Sequence, residues 1–128
     1  LAFEATLPGL AEECMLRGVF LAIALRAVRR GELDEPGGIG RDGWQAIIAA
    51  AMLFASVHGL SPRPSASGNE SGTPFGWGWE VAFAPMLFGR TFLTGMAYGW
   101  LRLRTGSLLT PIVAHNAANV AGTALAMR

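Results

Sequence analysis

The fold is decided by the stretch LLTPIVAHNAANVAGTALAM at residues 108–127, which contains no formally charged side chain. A membrane-spanning helix requires about 20 predominantly apolar residues, with a range of roughly 17–25. Residues 81–101 form a second stretch of this kind, interrupted by Arg90. The two stretches predict helices that are long enough to cross a bilayer.

Two further apolar segments precede them. Residues 44–60 carry no charge before His58 and meet the length requirement marginally, whereas residues 1–28 contain acidic and basic side chains. Charged groups are unfavourable in hydrocarbon, so if residues 1–28 enter the bilayer, their charges must face other helices or a wet cavity. We therefore predict an all-α fold, a transmembrane bundle of about four main helices. Because the chain starts without methionine, we expect that the bundle lacks helices that lie upstream.

The remaining residues predict loops within a single helical membrane domain that covers residues 1–128. Residues 29–43 and 61–78 are rich in glycine and proline, which break helices and mark connections. We therefore expect an integral membrane protein, with the lipid bilayer as a partner.

The composition of the chain argues against several classes of protein. The chain is 52% hydrophobic and 15% charged, against about 25% charged in an average soluble domain. Its net charge is +1 and it has no basic stripe, so we expect no nucleic-acid partner. A single cysteine excludes an internal disulfide framework.

Polar residues at helical spacing stand out within the apolar segments. Residues four apart lie one above the other on a helix, so His115 and Asn119 project from one face. Glu13 and Arg17 share a face in the same way and can form an ion pair. Glu12 lies about 100° around the helix from Glu13. One carboxylate can thus be held by Arg17 while the other stays free.

These residue types predict hydrolytic chemistry. A glutamate beside an imidazole such as His58 can act as a general base on a water molecule. A second histidine and an asparagine amide can donate hydrogen bonds to a developing oxyanion. No serine or cysteine stands in a nucleophile pattern, which favours direct attack by activated water. One glutamate and two histidines can also bind zinc and leave a position for water, so metal-assisted and metal-free hydrolysis both remain open.

Three motifs on separate apolar segments add a resemblance to a known family. They are Glu12-Glu13-x-x-x-Arg17, Phe54-x-x-x-His58 and His115-x-x-x-Asn119, in that order. This set resembles the signature of the CAAX protease and bacteriocin-processing (CPBP) family, which includes the type II CAAX prenyl endopeptidases. Residues 95–115 are also similar to the usual approach to the third motif of that family. The resemblance covers residues 12–119.

The resemblance implies an intramembrane endopeptidase that removes the last residues of prenylated CAAX-type proteins. The implied catalytic residues are Glu12 with His58 as the water-activating pair, and His115 with Asn119 on the oxyanion side. The implied supporting residues are Glu13, Arg17 and Phe54.

Family members are often described as metalloproteases, in which case Glu12, His58 and His115 would be the zinc ligands. The expected partner is a peptide or protein substrate, prenylated in the CAAX-type case. The expected location is the plasma membrane of a bacterium or an archaeon.

Other classes of function fit parts of the sequence. A non-catalytic membrane protein on the same scaffold could bind a peptide, as in bacteriocin self-immunity, and need not keep Glu12. A transporter fragment could use buried glutamate and histidine as a proton relay, and a soluble helical bundle would have to bury residues 108–127 on all sides. The ordered set of three motifs favours the peptidase.

Overall fold

The computed structural model describes residues 7–28, 39–64 and 79–127. Its helical elements, in chain order, are α1 (Leu7–Glu13), a π-helical segment (Cys14–Phe20), α2 (Leu21–Val28), α3 (Arg41–Gly59), α4 (Pro85–Thr105) and α5 (Leu109–Ala126). The predicted helical class is therefore confirmed. Within the ranges given above, no helix combines the length and the apolar character that crossing a membrane requires.

The first helical segment runs without a break from α1 through the π-helical segment into α2. Glu13 and Leu21, the residues at its two junctions, both have right-handed helical backbone angles. A π turn closes its hydrogen bonds over one more residue than an α turn, so it changes the direction in which the following side chains project. The buried residues of the π-helical segment are Leu16 and Arg17, and π turns often occur at functional sites.

Two short strands interrupt the helical pattern. Strand β1 (Leu60–Pro64) pairs antiparallel with β2 (Trp79–Phe83), with Leu60 opposite Phe83. The prediction that residues 61–64 belong to a loop was wrong, as was the prediction that an apolar helix begins at residue 81. Prolines at alternate positions of β1 hide the strand signal, and they are tolerated because both members of a two-stranded pair are edge strands.

The other predicted boundaries are closer to the structure. Residues 41–43, predicted as loop, form the first turn of α3, whereas residues 29–38 and 65–78 of the predicted loops lie outside the described residues. Helix α4 ends where Gly106 adopts a left-handed φ of 69° and its N–H donates to the carbonyl of Arg102 at 3.0 Å. Glycine is favoured in this C-cap conformation because it has no Cβ.

The core lies between α2, α3 and α4. Its buried members are Leu21 from α2 and Ala46, Ile47 and Ala50 from α3. Helices α3 and α4 approach closely because a glycine of α4 faces α3: a Cβ at Gly95 would lie only 3.1 Å from Ala51. Small residues allow helix backbones to approach in this way.

Helix α5 closes the fold by packing against α1 and α4. The Gly9 N–H of α1 donates to Asn116 Oδ1 of α5 at 3.1 Å. This contact brings the first motif next to the third, although they lie near opposite ends of the sequence. Together with the α3–α4 contact, it places all three motifs around one region.

Candidate active site

A buried ion pair lies at the centre of this region. Glu13 is fully buried and its Oε1 atom lies 3.0 Å from Nη1 of Arg17, whose side chain is 1% exposed. The predicted pairing of these two residues is confirmed. Burial of two charges is tolerated only when each is well compensated by its surroundings, so the neighbours of Arg17 are informative.

Aromatic rings and a carbonyl surround the Arg17 guanidinium. Its central carbon lies 4.7 Å from the centroid of the Phe54 ring and 5.5 Å from that of Tyr98. Its Nη2 donates to the carbonyl of Gly95 at 3.4 Å. The faces of aromatic rings attract cations, so the buried positive charge is balanced by a carboxylate, a backbone dipole and two ring faces.

His115 is oriented by Glu13 and Tyr98. Its Nδ1 lies 2.9 Å from Glu13 Oε1, and its ring stacks on that of Tyr98 with centroids 5.3 Å apart and planes at 28°. The carboxylate of an ion pair with arginine only accepts hydrogen bonds, so we infer that Nδ1–H of His115 donates to Glu13. The Nε2 atom of His115 is left for other partners.

His58 is also held through its Nδ1 atom, in this case by the backbone of its own helix. Its Nδ1 lies 2.9 Å from the carbonyl oxygen of Phe54, and a carbonyl oxygen only accepts, so we infer that Nδ1–H donates. The Phe54 ring also contacts the His58 ring edge-to-face, with centroids 4.5 Å apart. As in His115, Nε2 is therefore the nitrogen available for chemistry.

Glu12 lies between the two imidazoles. Its Oε2 is 3.9 Å from Nε2 of His58 and 3.8 Å from Nε2 of His115. These separations are too long for direct hydrogen bonds but short enough for one water molecule to contact both atoms of a pair. Oε2 is shielded from solvent and has no hydrogen-bond partner among the described residues. A buried acceptor of this kind is expected to have a donor.

The three atoms have the chemistry of zinc ligands but not the spacing. Ligand atoms at about 2.0–2.2 Å from a tetrahedral zinc ion lie about 3.3–3.6 Å from one another, which is less than the separations given above for Glu12 Oε2. Among the described residues, no group of three or more His, Cys, Asp or Glu side chains is arranged to hold a metal ion. The zinc set of Glu12, His58 and His115 therefore does not form a metal site as these side chains are placed.

A cavity of about 450 Å³ opens beside the two histidines. Ligand pockets of about 300–1,000 Å³ accept small molecules and short peptide segments. The cavity is lined by Phe54, His58, Arg90, Thr91, Thr94, Tyr98, His115, Ala118, Asn119, Gly122 and Thr123. Asn119 thus shares the cavity with both histidines, whose Nε2 atoms lie 3.9 Å and 3.8 Å from Glu12 Oε2.

A comparison with known families assigns the chain to one of them. The family model of the type II CAAX prenyl endopeptidase Rce1-like proteins matches residues 1–121. The chain belongs to the Rce1-like family. Membership in this family of membrane proteins implies a protease. No curated protein and no solved structure matches the chain significantly.

The site of this Rce1-like chain includes residues for which the sequence predicted no role. Tyr98 contacts both Arg17 and His115, and its only sequence signal is that it is the single tyrosine of the chain. Asn116, which docks α1, follows the third-motif histidine directly. Arg90, which interrupts the apolar segment at residues 81–101, lies on the cavity wall.

Proposed function

We propose that this Rce1-like chain is an intramembrane endopeptidase in which Glu12 and His58 activate the water that attacks a peptide bond. The observation that carries the proposal is the position of Glu12 Oε2, 3.9 Å and 3.8 Å from two imidazole Nε2 atoms. Because each ring is held through Nδ1, the groups that meet at Glu12 are preorganised around one water-sized space.

In the first step, a water bound between Glu12 and His58 gives its proton to this pair as its oxygen attacks the scissile carbonyl carbon. A positioned general base contributes about 10²–10⁴-fold to such a step. The carbonyl π electrons move onto oxygen and form a tetrahedral oxyanion. When this intermediate collapses, the C–N bond breaks and the proton held by Glu12 passes to the leaving amine.

We assign stabilisation of the oxyanion to Asn119 and His115, which line the same cavity as His58. The Asn119 amide donates directly. His115 already directs Nδ1–H at Glu13, so donation from Nε2 requires the doubly protonated ring. The positive charge of that ring would face the Glu13 carboxylate. The Glu13–His115 contact would thereby favour a cationic donor beside the oxyanion.

The proposed setting is a lipid bilayer, and the proposed substrates are prenylated CAAX-type proteins. Membership in the Rce1-like family supports both. Large apolar side chains such as Leu93, Val113 and Leu125 are exposed on α4 and α5, which suits contact with lipid. The polar side chains His115 and Asn119 of α5 instead line the cavity.

The test of the catalytic assignment is Glu12→Gln, which keeps the shape of the side chain and removes its basicity. We expect cleavage of a CAAX-type peptide in detergent to fall by at least about 100-fold. Asp42→Asn, the same change in the first turn of α3, is the matched control and should retain activity. Cleavage by the Glu12 variant at the wild-type rate would show that another group activates the water.

A panel of prenylated and unprenylated peptides, with and without chelator and zinc add-back, tests the remaining points. Loss of cleavage with a chelator and recovery with zinc would show that a metal takes part with Glu12, His58 and His115. Peptide binding without turnover by the intact chain would instead support the non-catalytic, self-immunity type of function.

A further inference from the structure

Arg90 is a charged residue on the cavity wall that the proposed mechanism does not use. It is exposed and lines the same cavity as His115 and Asn119. Among the side chains that the structure describes, its guanidinium forms no ion pair. A guanidinium presents its donors in a fixed fork that matches a carboxylate, so its position points to an anionic group on the bound ligand.

The distance from Arg90 to the His115 end of the cavity can be read along α4. Arg90, Thr94 and Tyr98 follow one another at intervals of four residues, which places them on one face of the helix. Tyr98 stacks on His115 and so marks the end of the cavity at which the His115 ring lies. Eight residues at about 1.5 Å each separate the backbones of Arg90 and Tyr98 by about 12 Å.

This separation corresponds to a short length of extended peptide. An extended chain spans about 3.3–3.6 Å per residue, so three residues cover about 10–11 Å. If the scissile carbonyl lies beside His115 and Asn119, the carboxylate that ends the third residue downstream lies within reach of Arg90. The flexible Arg90 side chain accommodates the remaining difference.

The wall between these two points suits a peptide backbone. The Thr91 hydroxyl donates to the carbonyls of Leu87 and Phe88 at 2.8 Å and 3.1 Å, and the Thr94 hydroxyl donates to the Arg90 carbonyl at 2.8 Å. Because these hydroxyl protons are already engaged, the oxygens present lone pairs to the cavity. They can accept hydrogen bonds from the N–H groups of a substrate.

We propose that Arg90 binds the C-terminal carboxylate of the substrate and thereby determines how far from the C-terminus the chain is cut. The proposal rests on the proposed peptidase function of the same cavity. It assigns recognition to Arg90 and gives it no part in the bond-breaking step. A free C-terminus about three residues beyond the scissile bond is then a requirement for efficient cleavage.

The experiment compares one CAAX-type peptide ending in a free carboxylate with the same peptide ending in an amide. We expect the wild-type chain in detergent to prefer the carboxylate in kcat/KM by on the order of 10- to 100-fold, as expected for a charge-assisted hydrogen bond. Arg90→Gln should reduce this preference to about one, mainly by slowing cleavage of the carboxylate form. Arg26→Gln, which changes an exposed arginine of α2, is the matched control and should keep the preference.

Binding separates failure of this proposal from failure of the peptidase assignment. Anisotropy of the two labelled peptides is measured on Glu12→Gln, with and without Arg90→Gln. A carboxylate preference that disappears with Arg90→Gln supports the anchor, even if the wild-type chain shows no turnover.

Equal binding and cleavage of both peptides by the wild-type chain would overturn the anchor and leave the peptidase standing. If Arg90 instead binds lipid headgroups, Arg90→Gln will change both peptides equally and weaken binding to anionic phospholipid vesicles. That result would also overturn the anchor.

Discussion

Replacing Glu13 by glutamine tests whether the buried ion pair holds the site together. The substitution keeps the side-chain shape but removes the negative charge that lies 3.0 Å from Arg17 and 2.9 Å from His115. The Arg17 side chain is 1% exposed, so water cannot replace the lost partner. Leaving one charge of a buried pair uncompensated destabilises proteins by about 3–5 kcal/mol.

The aromatic rings beside the cation reduce this effect. Phe54 and Tyr98 both lie within cation–π distance of Arg17, and each such contact contributes about 0.5–2 kcal/mol. We therefore expect Glu13→Gln to lower the free energy of unfolding by about 3 kcal/mol. This loss is a large fraction of the 5–15 kcal/mol that is typical of a folded domain.

The assay is a double-mutant cycle read by denaturant unfolding in detergent. Arg17→Met removes the cation, and the double variant leaves neither charge unpaired. We expect the double variant to be more stable than the sum of the single losses predicts, by about 2–3 kcal/mol. Additive losses would refute the reasoning, because they would show that Glu13 and Arg17 act independently. Asp42→Asn provides the baseline for loss of a carboxylate elsewhere.

Three glycine substitutions follow from the helix contacts, each measured by thermal unfolding. Gly95→Ala places a Cβ 3.1 Å from Ala51, and we expect it to push α4 from α3 and destabilise by about 1–3 kcal/mol; an unchanged melting temperature would contradict the close approach. Gly122→Ala meets nothing within 4 Å and should stabilise α5 by about 0.5–1 kcal/mol. Gly9→Ala would overlap Asn116 Oδ1 and should lower both stability, by about 1–2 kcal/mol, and cleavage. If Gly9→Ala changes neither the melting temperature nor the cleavage rate, α1 is held by other contacts.

The parts of the site that the sequence predicts are the local ones. Glu13 and Arg17 are four residues apart, so their pairing follows from helical geometry alone, and their side chains form an ion pair with an N–O distance of 3.0 Å. The separate direction of Glu12 follows in the same way from the 100° step of a helix. The helical class was predictable because long apolar segments and glycine-rich connections are strong signals.

The remaining features depend on packing between distant parts of the chain. Nothing in the spacing of residues indicates that His115 contacts Glu13 or that Tyr98 stacks on His115, because neither contact lies within one helix. The π-helical segment at Cys14–Phe20 has no sequence signature that distinguishes it from α-helix. The pairing of β1 with β2 was hidden by Pro62 and Pro64, which individually argue against a strand.

The joining of α1 to α5 has a consequence for biosynthesis. Glu13 and His115 are 102 residues apart in the chain, and ribosomes add about 5–20 residues per second. The histidine therefore emerges about 5–20 s after the glutamate that orients it. During that interval the nascent polypeptide has the first motif but not the third, so the proposed site is incomplete until α5 has been made.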